Sequence, residues 1–142
     1  MFELIAEQSN WIIPISISYP DKLQTNQSNV VTNFWLRNRS ASLDMESRPY
    51  LLNLEASGFY RVAYDEENWR ALIHSLKTKK EISRLNRAQL IDDIMNLART
   101  NHVSYELALD LLLYLRLEDD FIPWEAAFRS LSFLYYRMED SM

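Results

Sequence analysis

Near residue 64 the spacing of apolar side chains changes from two to three and four, and no other feature constrains the fold as much. Before that point Ile13, Ile15, Ile17 and Tyr19 alternate with Pro14, Ser16 and Ser18, the period of a strand with one face buried. Val30, Thr32, Phe34 and Leu36 repeat the alternation, and Tyr50–Leu54 and Phe59–Tyr64 are two further short strand candidates. The connectors PDKLQTNQSN and RNRSASLDMESRP are polar, as links between antiparallel strands require. Four or five short strands fall short of the roughly seven of a complete β-sandwich, so residues 1–64 read as a partial one.

After residue 64 every run has helical period. Asp65 is placed to cap a helix whose Trp69, Leu72, Ile73 and Leu76 share one face. Lys77, Lys79 and Lys80 follow at its C-terminal end, where the helix dipole favours cations and a solvated end explains them better than a binding patch. Ser83 caps a second helix with Ala88, Ile91, Ile94, Met95 and Ala98 as its apolar stripe, and Ser104 a third from Tyr105 to about Leu117. The third is apolar nearly all round and is expected to be buried between neighbours. Asp120 and Pro123 open a fourth, with Trp124, Ala127, Phe128, Leu131, Leu134, Tyr135 and Met138 at spacings of three and four. Short links make these antiparallel helical hairpins. The expected fold class is α+β, with a boundary between residues 64 and 65. The fourth helix reaches Met142 without a stop signal, and its aromatic face, Phe133 and Tyr136 included, calls for a further helix in a continuing array.

Composition excludes several function classes. A 48% hydrophobic content over 142 residues, with four Trp, eight Tyr and six Phe, supports a packed core and excludes disorder. A net charge of −5 with no basic stripe argues against nucleic acid as a partner. The absence of cysteine removes disulfides, thiolate catalysis and cysteine zinc sites. MFELIAEQSN is too acidic and too poor in apolar residues for a signal peptide. The most apolar run, Leu107 to Leu115, is interrupted by Asp110 and closed by Arg116, so no segment reads as a membrane span.

No active site emerges from the residues. His74 and His102 are the only histidines and stand 28 positions apart on different elements, without the H-E-x-x-H spacing of a zinc helix. Asp92 and Asp93 are adjacent, and a helix points neighbours about 100° apart, which argues against a shared-proton pair. One of the two is expected to face water, the other to bond an arginine or a helix N-terminus. Glu118-Asp119-Asp120 lies at a helix start and lacks the ligand pattern of a calcium loop. There is no G-x-S-x-G elbow or glycine-rich phosphate loop. Gly58, the only glycine, reads as a turn or a close backbone approach. Asn26 and Asn38 begin N-x-S/T triplets in the connectors and permit glycosylation.

The motifs nonetheless resemble, in order and spacing, one region of the gluzincin zinc aminopeptidases, of the aminopeptidase N and endoplasmic-reticulum aminopeptidase type. They are Trp11-Ile12-Ile13-Pro14-Ile15; Gly58-Phe59-Tyr60-Arg61-Val62 with Tyr64-Asp65 and Asn68-Trp69; Asn86-Arg87-Ala88-Gln89-Leu90-Ile91-Asp92-Asp93 with Leu97-Ala98-Arg99; and Tyr114-Leu115, Glu118 and Ile122-Pro123-Trp124-Glu125-Ala126. The resemblance covers nearly the whole chain. It implies the end of a β-sandwich domain over 1–64 and the start of a superhelical C-terminal domain over 65–142. Gly58 to Asp65 would then be the last sandwich strand entering the first helix. Asn86 to Asp93 would fix helix packing and the hinge between the domains, and Trp124 would open the fourth helix. Family members carry Asn where this chain has Ala63.

The family's H-E-x-x-H zinc site and G-A-M-E-N-type exopeptidase motif have no counterpart here, so no catalytic or metal residue carries over. The resemblance thus implies a non-catalytic part of a zinc metallo-aminopeptidase, zinc belonging to the parent enzyme. Its partners would be the catalytic domain and the rest of the helical domain, with peptide substrates met through the parent. That parent would be a plasma-membrane ectodomain, a secreted enzyme or an endoplasmic-reticulum lumenal one. The competing readings are a stand-alone interaction or scaffold module and an enzyme of unrecognised site.

Overall fold

The structure, a computed structural model, describes residues 2–5, 12–20, 32–38, 40–44, 49–78 and 82–139. Trp11, Asn26, Val30, Lys79 and Lys80 lie outside them. Five strands are present among the described residues: β1 (Phe2–Ile5), β2 (Ile13–Ser18), β3 (Thr32–Leu36), β4 (Ser40–Leu43) and β5 (Leu51–Leu52). They form an antiparallel three-stranded sheet in the order β3-β2-β5 and a separate antiparallel pair, β1-β4. Register follows the alternation: Ile13 stands opposite Leu36, Ile15 opposite Phe34, and Ile17 between Thr32 and Leu52. Ile15, Ile17, Tyr19 and Leu36 are buried on the core side, whereas Pro14 and Trp35 are exposed.

The strand half departs from the sequence reading at three places. Ser40–Leu43, read as part of a polar connector, is a strand paired with Phe2–Ile5. Tyr50–Leu54 is a strand only at Leu51–Leu52, after which the chain makes a left-handed turn. Phe59–Tyr64 is not a strand. Its backbone is held instead by side chains of other elements, so no strand ladder is available to it.

The helical half consists of α1 (Glu66–Thr78), α2 (Arg84–Arg99), α3 (Tyr105–Leu112) and α4 (Phe121–Glu139). Each N-terminus has a side-chain acceptor for an orphan amide: Asp65 for Asn68 N–H at 2.8 Å, Ser83 for Asn86 at 3.3 Å, Ser104 for Leu107 at 3.2 Å and Asp120 for Ile122 at 2.9 Å. α2 stops where Asn101 takes φ 61°, with the His102 N–H returning to the Leu97 carbonyl at 3.0 Å. Asparagine here fills the left-handed position that glycine usually takes after a helix.

After Leu112 the third helix tightens into a 3-10 segment, Leu113–Leu117. It is not buried all round: Leu107, Ala108, Leu111, Tyr114 and Leu115 face the core while Leu109, Leu113 and Leu117 are exposed. Its principal helical neighbours, α1 and α2, bury one side. α4 packs mainly on α2 through Ala127 and the small buried Ser130, leaving Phe128, Tyr135 and Met138 of its apolar stripe exposed. Leu90, Ile91, Ile94 and Met95 of α2 are all fully buried, and one continuous core joins them to β2, β5, α1 and α3.

Candidate functional site

The segment from Tyr50 to Asp65 has few strand partners, so its backbone polar groups need others. Helix side chains supply them. The Asn68 carboxamide accepts from Tyr50 N–H at 3.1 Å and donates to its carbonyl at 3.0 Å, reproducing a ladder pair. Leu52 N–H donates to the Tyr64 hydroxyl at 2.9 Å, and Gln89 donates to the Leu52 carbonyl at 3.1 Å. Glu55 N–H donates to Asn86 Oδ1 at 2.6 Å and Ala56 N–H to Gln89 Oε1 at 3.0 Å. Val62 N–H donates to Asp93 Oδ2 at 3.3 Å. Asn86, Gln89 and Asp93 stand at i, i+3 and i+7 on α2, which places them on one face. The organised run of residues 86 to 93 is thus a polar rail that reads the backbone of a neighbouring segment.

The turn at Leu54–Ala56 is strained. Asn53, Glu55 and Ala56 have φ of 54°, 57° and 53°, a region that costs non-glycine residues about 1 kcal/mol or more each. Asn53 compensates: its amide donates to the carbonyls of Gly58 (3.0 Å) and Tyr60 (2.8 Å), and its Oδ1 accepts from Gly58 N–H (2.7 Å). Gly58 does not have positive φ. A Cβ there would collide with the Tyr60 ring, 2.9 Å from Cδ1, and meet Asn53 Oδ1 at 3.1 Å, so the glycine serves a close approach. Tyr60 donates its hydroxyl to the Pro14 carbonyl at 2.8 Å, tying the turn to β2.

Arg61 bonds Asp92 at 3.0 Å and stands 3.9 Å from Asp93. Asp92 is half exposed, Asp93 only 4%. Burial drives the Asp93 carboxyl up to about 7, against the Val62 N–H, Gln89 and Arg61, which pull it down, and with Asp92, which adds to the rise. Because the folded value lies above the unfolded one near 3.8, Asp93 contributes stability in full below pH 3.8 and loses it as the pH rises through about 7. Native stability is expected to rise by about 2–3 kcal/mol from pH 8 to pH 5 through this group. Asp93→Asn should flatten that rise in pH-dependent urea melts, while Asp92→Asn, which removes a lesser contribution than burial, leaves most of it; an unchanged slope in Asp93→Asn refutes the assignment.

Arg87, on the same helix as the two aspartates, pairs elsewhere. It grips Glu118 with two bonds, 2.6 and 2.9 Å, and donates to the Ile82 carbonyl at 2.7 Å. Glu118, 2% exposed, also accepts from the amides of Asp119 (3.0 Å) and Asp120 (2.9 Å). Burial pushes its carboxyl up, but Arg87 and the Asp120 amide hold the net value below the ordinary range. Trp124 donates to the Glu118 carbonyl at 3.3 Å and stacks on Phe128. Arg99 lies 3.7 Å above the Phe133 ring and bonds Asn96, not an aspartate.

The sequence-level candidates therefore form two sets. Gly58, Tyr60, Arg61, Asn86, Asp92 and Asp93 meet at the junction, with Asp65 and Asn68 beside it on α1, whereas Arg87 and Trp124 belong to the Glu118 cluster. Asn38 is exposed just before β4, and Ala63 is exposed. Sequence reading missed Asn53 and gave Gln89 and Tyr64 no role beyond their motifs; amide side chains at helical spacing inside an otherwise apolar run were the signal for Gln89. His74 and His102 are exposed, and among the described residues no three His, Asp or Glu side chains converge to hold a metal.

Helical hairpins docked through α1 and α2 on the end of an antiparallel sheet are the class this geometry defines. The profile of the family described as "ERAP1-like C-terminal domain" matches residues 49–142, beginning at the segment that the rail holds. The chain belongs to this family and corresponds to part of the C-terminal region of an aminopeptidase N-like protein. It is 51% identical over 86 residues to aminopeptidase N of Plutella xylostella, a match of 60% of this chain and 9% of that protein. It is 40% identical to human aminopeptidase N over 128 residues, 87% of this chain and 12% of the relative. Aminopeptidase Ey of Gallus gallus is 37% identical over 136 residues, 92% and 13%. The chain thus spans about a tenth of these relatives' length.

Proposed function

We propose that this chain is a non-catalytic part of a zinc metallo-aminopeptidase, removing N-terminal residues from peptides only as part of the larger enzyme. In this reading residues 1–64 end a β-sandwich domain and residues 65–142 begin the helical domain. Their joint task is to pack against and shape the catalytic domain. The match over residues 49–142, together with relatives named as aminopeptidases that are far longer than this chain, carries the reading. The rail supports it physically, because it makes the entry into the first helix rigid and would transmit a fixed orientation between the two domains. Zinc and the catalytic groups would come from the parent chain.

The purified chain is expected to release no arylamine from aminoacyl arylamides and to retain no stoichiometric zinc after dialysis, since catalytic zinc takes three protein ligands. Human aminopeptidase N carrying this chain in place of its matching segment should fold and keep its activity. Chelator-sensitive activity in the isolated chain, or a chimera that does not fold, would overturn the proposal.

A further inference from the structure

A groove of about 510 Å³ runs between the 55–61 turn, α2 and the first half of α4. Its floor is apolar: Leu85, Ala88, Ile122 and Ala126. Around it stand the carboxylates of Glu55, Asp92, Asp93 and Glu125 against the guanidiniums of Arg61 and Arg129. Both arginines already lie in ion pairs, Arg61 with Asp92 at 3.0 Å and Arg129 with Glu125 at 2.9 Å, which leaves the groove acidic. At its edge Phe59 is exposed to 110% of its reference area, so the ring rests on none of the described residues.

Such a ring costs free energy to display, and the backbone displaying it is strained and locked. The positive φ angles of Asn53, Glu55 and Ala56 persist because Asn53, Asn86 and Gln89 over-determine them. A strained, preorganised turn that presents an aromatic beside a charged apolar groove is the arrangement of a binding anchor, since little order remains to be imposed on contact.

We propose that this groove, with Phe59 as its anchor, docks a basic segment with apolar flanks from another part of the same aminopeptidase polypeptide. The proposal rests on the function given above and names the surface through which it is exercised. Charge decides the occupant. A Lys or Arg side chain complements Glu55 and the excess of carboxylates over guanidiniums around the groove, whereas a second copy of this chain, at net −5, approaches with like charge. Most of a relative's polypeptide lies outside the matched segment, so a tethered occupant would be present at high effective concentration.

The test uses the full-length chimera described above with a benzoylphenylalanine photo-crosslinker at position 59. Cross-links are expected to residues outside the 142-residue segment, within a stretch containing Lys or Arg, and their yield should fall on the order of tenfold when Glu55 and Glu125 are both changed to Lys. An active chimera that cross-links only within the segment, or only between two molecules, overturns the docking site and leaves the proposed function standing. A chimera that does not fold overturns the proposed function and the docking site with it. As a second measurement, 20-residue peptides tiling human aminopeptidase N outside the matched segment are titrated into the isolated chain by fluorescence anisotropy. Binding of a basic peptide, weakened about tenfold by Phe59→Ser, supports the proposal; binding indifferent to Phe59→Ser refutes it. Phe59→Ser should leave the chain's own melting temperature unchanged, because the ring is fully exposed.

Discussion

Glu118→Ala is expected to lower the stability of the chain by about 3–5 kcal/mol. Two losses combine. The carboxylate is 2% exposed and holds Arg87 through a bidentate pair, and removing it leaves a guanidinium that is itself only 15% exposed without its counter-charge. The same carboxylate accepts the amides of Asp119 and Asp120 ahead of α4, so the entry to that helix loses acceptors as well. Urea melts followed by circular dichroism measure the cost. Glu118→Gln keeps an acceptor and a similar shape and should cost less than alanine. The double variant Glu118→Leu with Arg87→Met, which removes both charges, should recover part of the loss, since burying an ion pair is costly in itself. A loss below about 1 kcal/mol for Glu118→Ala would place the pair among exposed bridges of little consequence.

Ile91→Ala should be comparably damaging, by about 2–5 kcal/mol, which for a domain of this size lowers Tm on the order of 10 °C. Ile91 is 0% exposed in the middle of α2, between the polar rail and the helices it packs against. The surrounding contacts come from secondary structure already committed elsewhere, so the site has little freedom to collapse onto the cavity. Thermal denaturation of the variant measures the effect directly. Ala88→Gly offers a comparison on the same helix, where the helix-propensity penalty of about 1 kcal/mol dominates. If Ile91→Ala costs no more than that, the buried face of α2 is not the centre of the core.

Much of the helical half was legible because its signals are local. Asp65, Ser83, Ser104 and Asp120 each stand before a helix and each accepts an orphan amide, and a cap needs only neighbours three residues away. Ile91, Ile94 and Ala98 are buried as their spacing demands. The strands of clean alternation, β2 and β3, were equally readable. Ser40–Leu43 was not, since SASL lacks alternation and is a strand through pairing with the distant Phe2–Ile5.

The junction was legible as a motif and opaque as a mechanism. Asn86 and Asp93 stood out in the sequence, but nothing local reveals which backbone amides they satisfy, because those lie some thirty residues earlier, at Glu55 and Val62. The choice of Arg61 for Asp92 and of Glu118 for Arg87 has the same character: all the charges were visible, and only the packing of α2 against the turn and against the Leu117–Asp120 connection selected the pairs.

By itself, then, the sequence determined the change from strand to helix near residue 64, the helix starts, the buried face of α2 and the absence of any zinc-helix spacing, because periodicity, caps and ligand spacing act within a few residues. Tertiary structure alone decided that Phe59–Tyr64 would not be a strand, that Asp93 would be buried and its carboxyl raised while its neighbour met solvent, and that Phe59 would be left uncovered. These outcomes depend on where backbone groups find partners and which charges lose water, and both are settled only when segments distant in sequence are brought together.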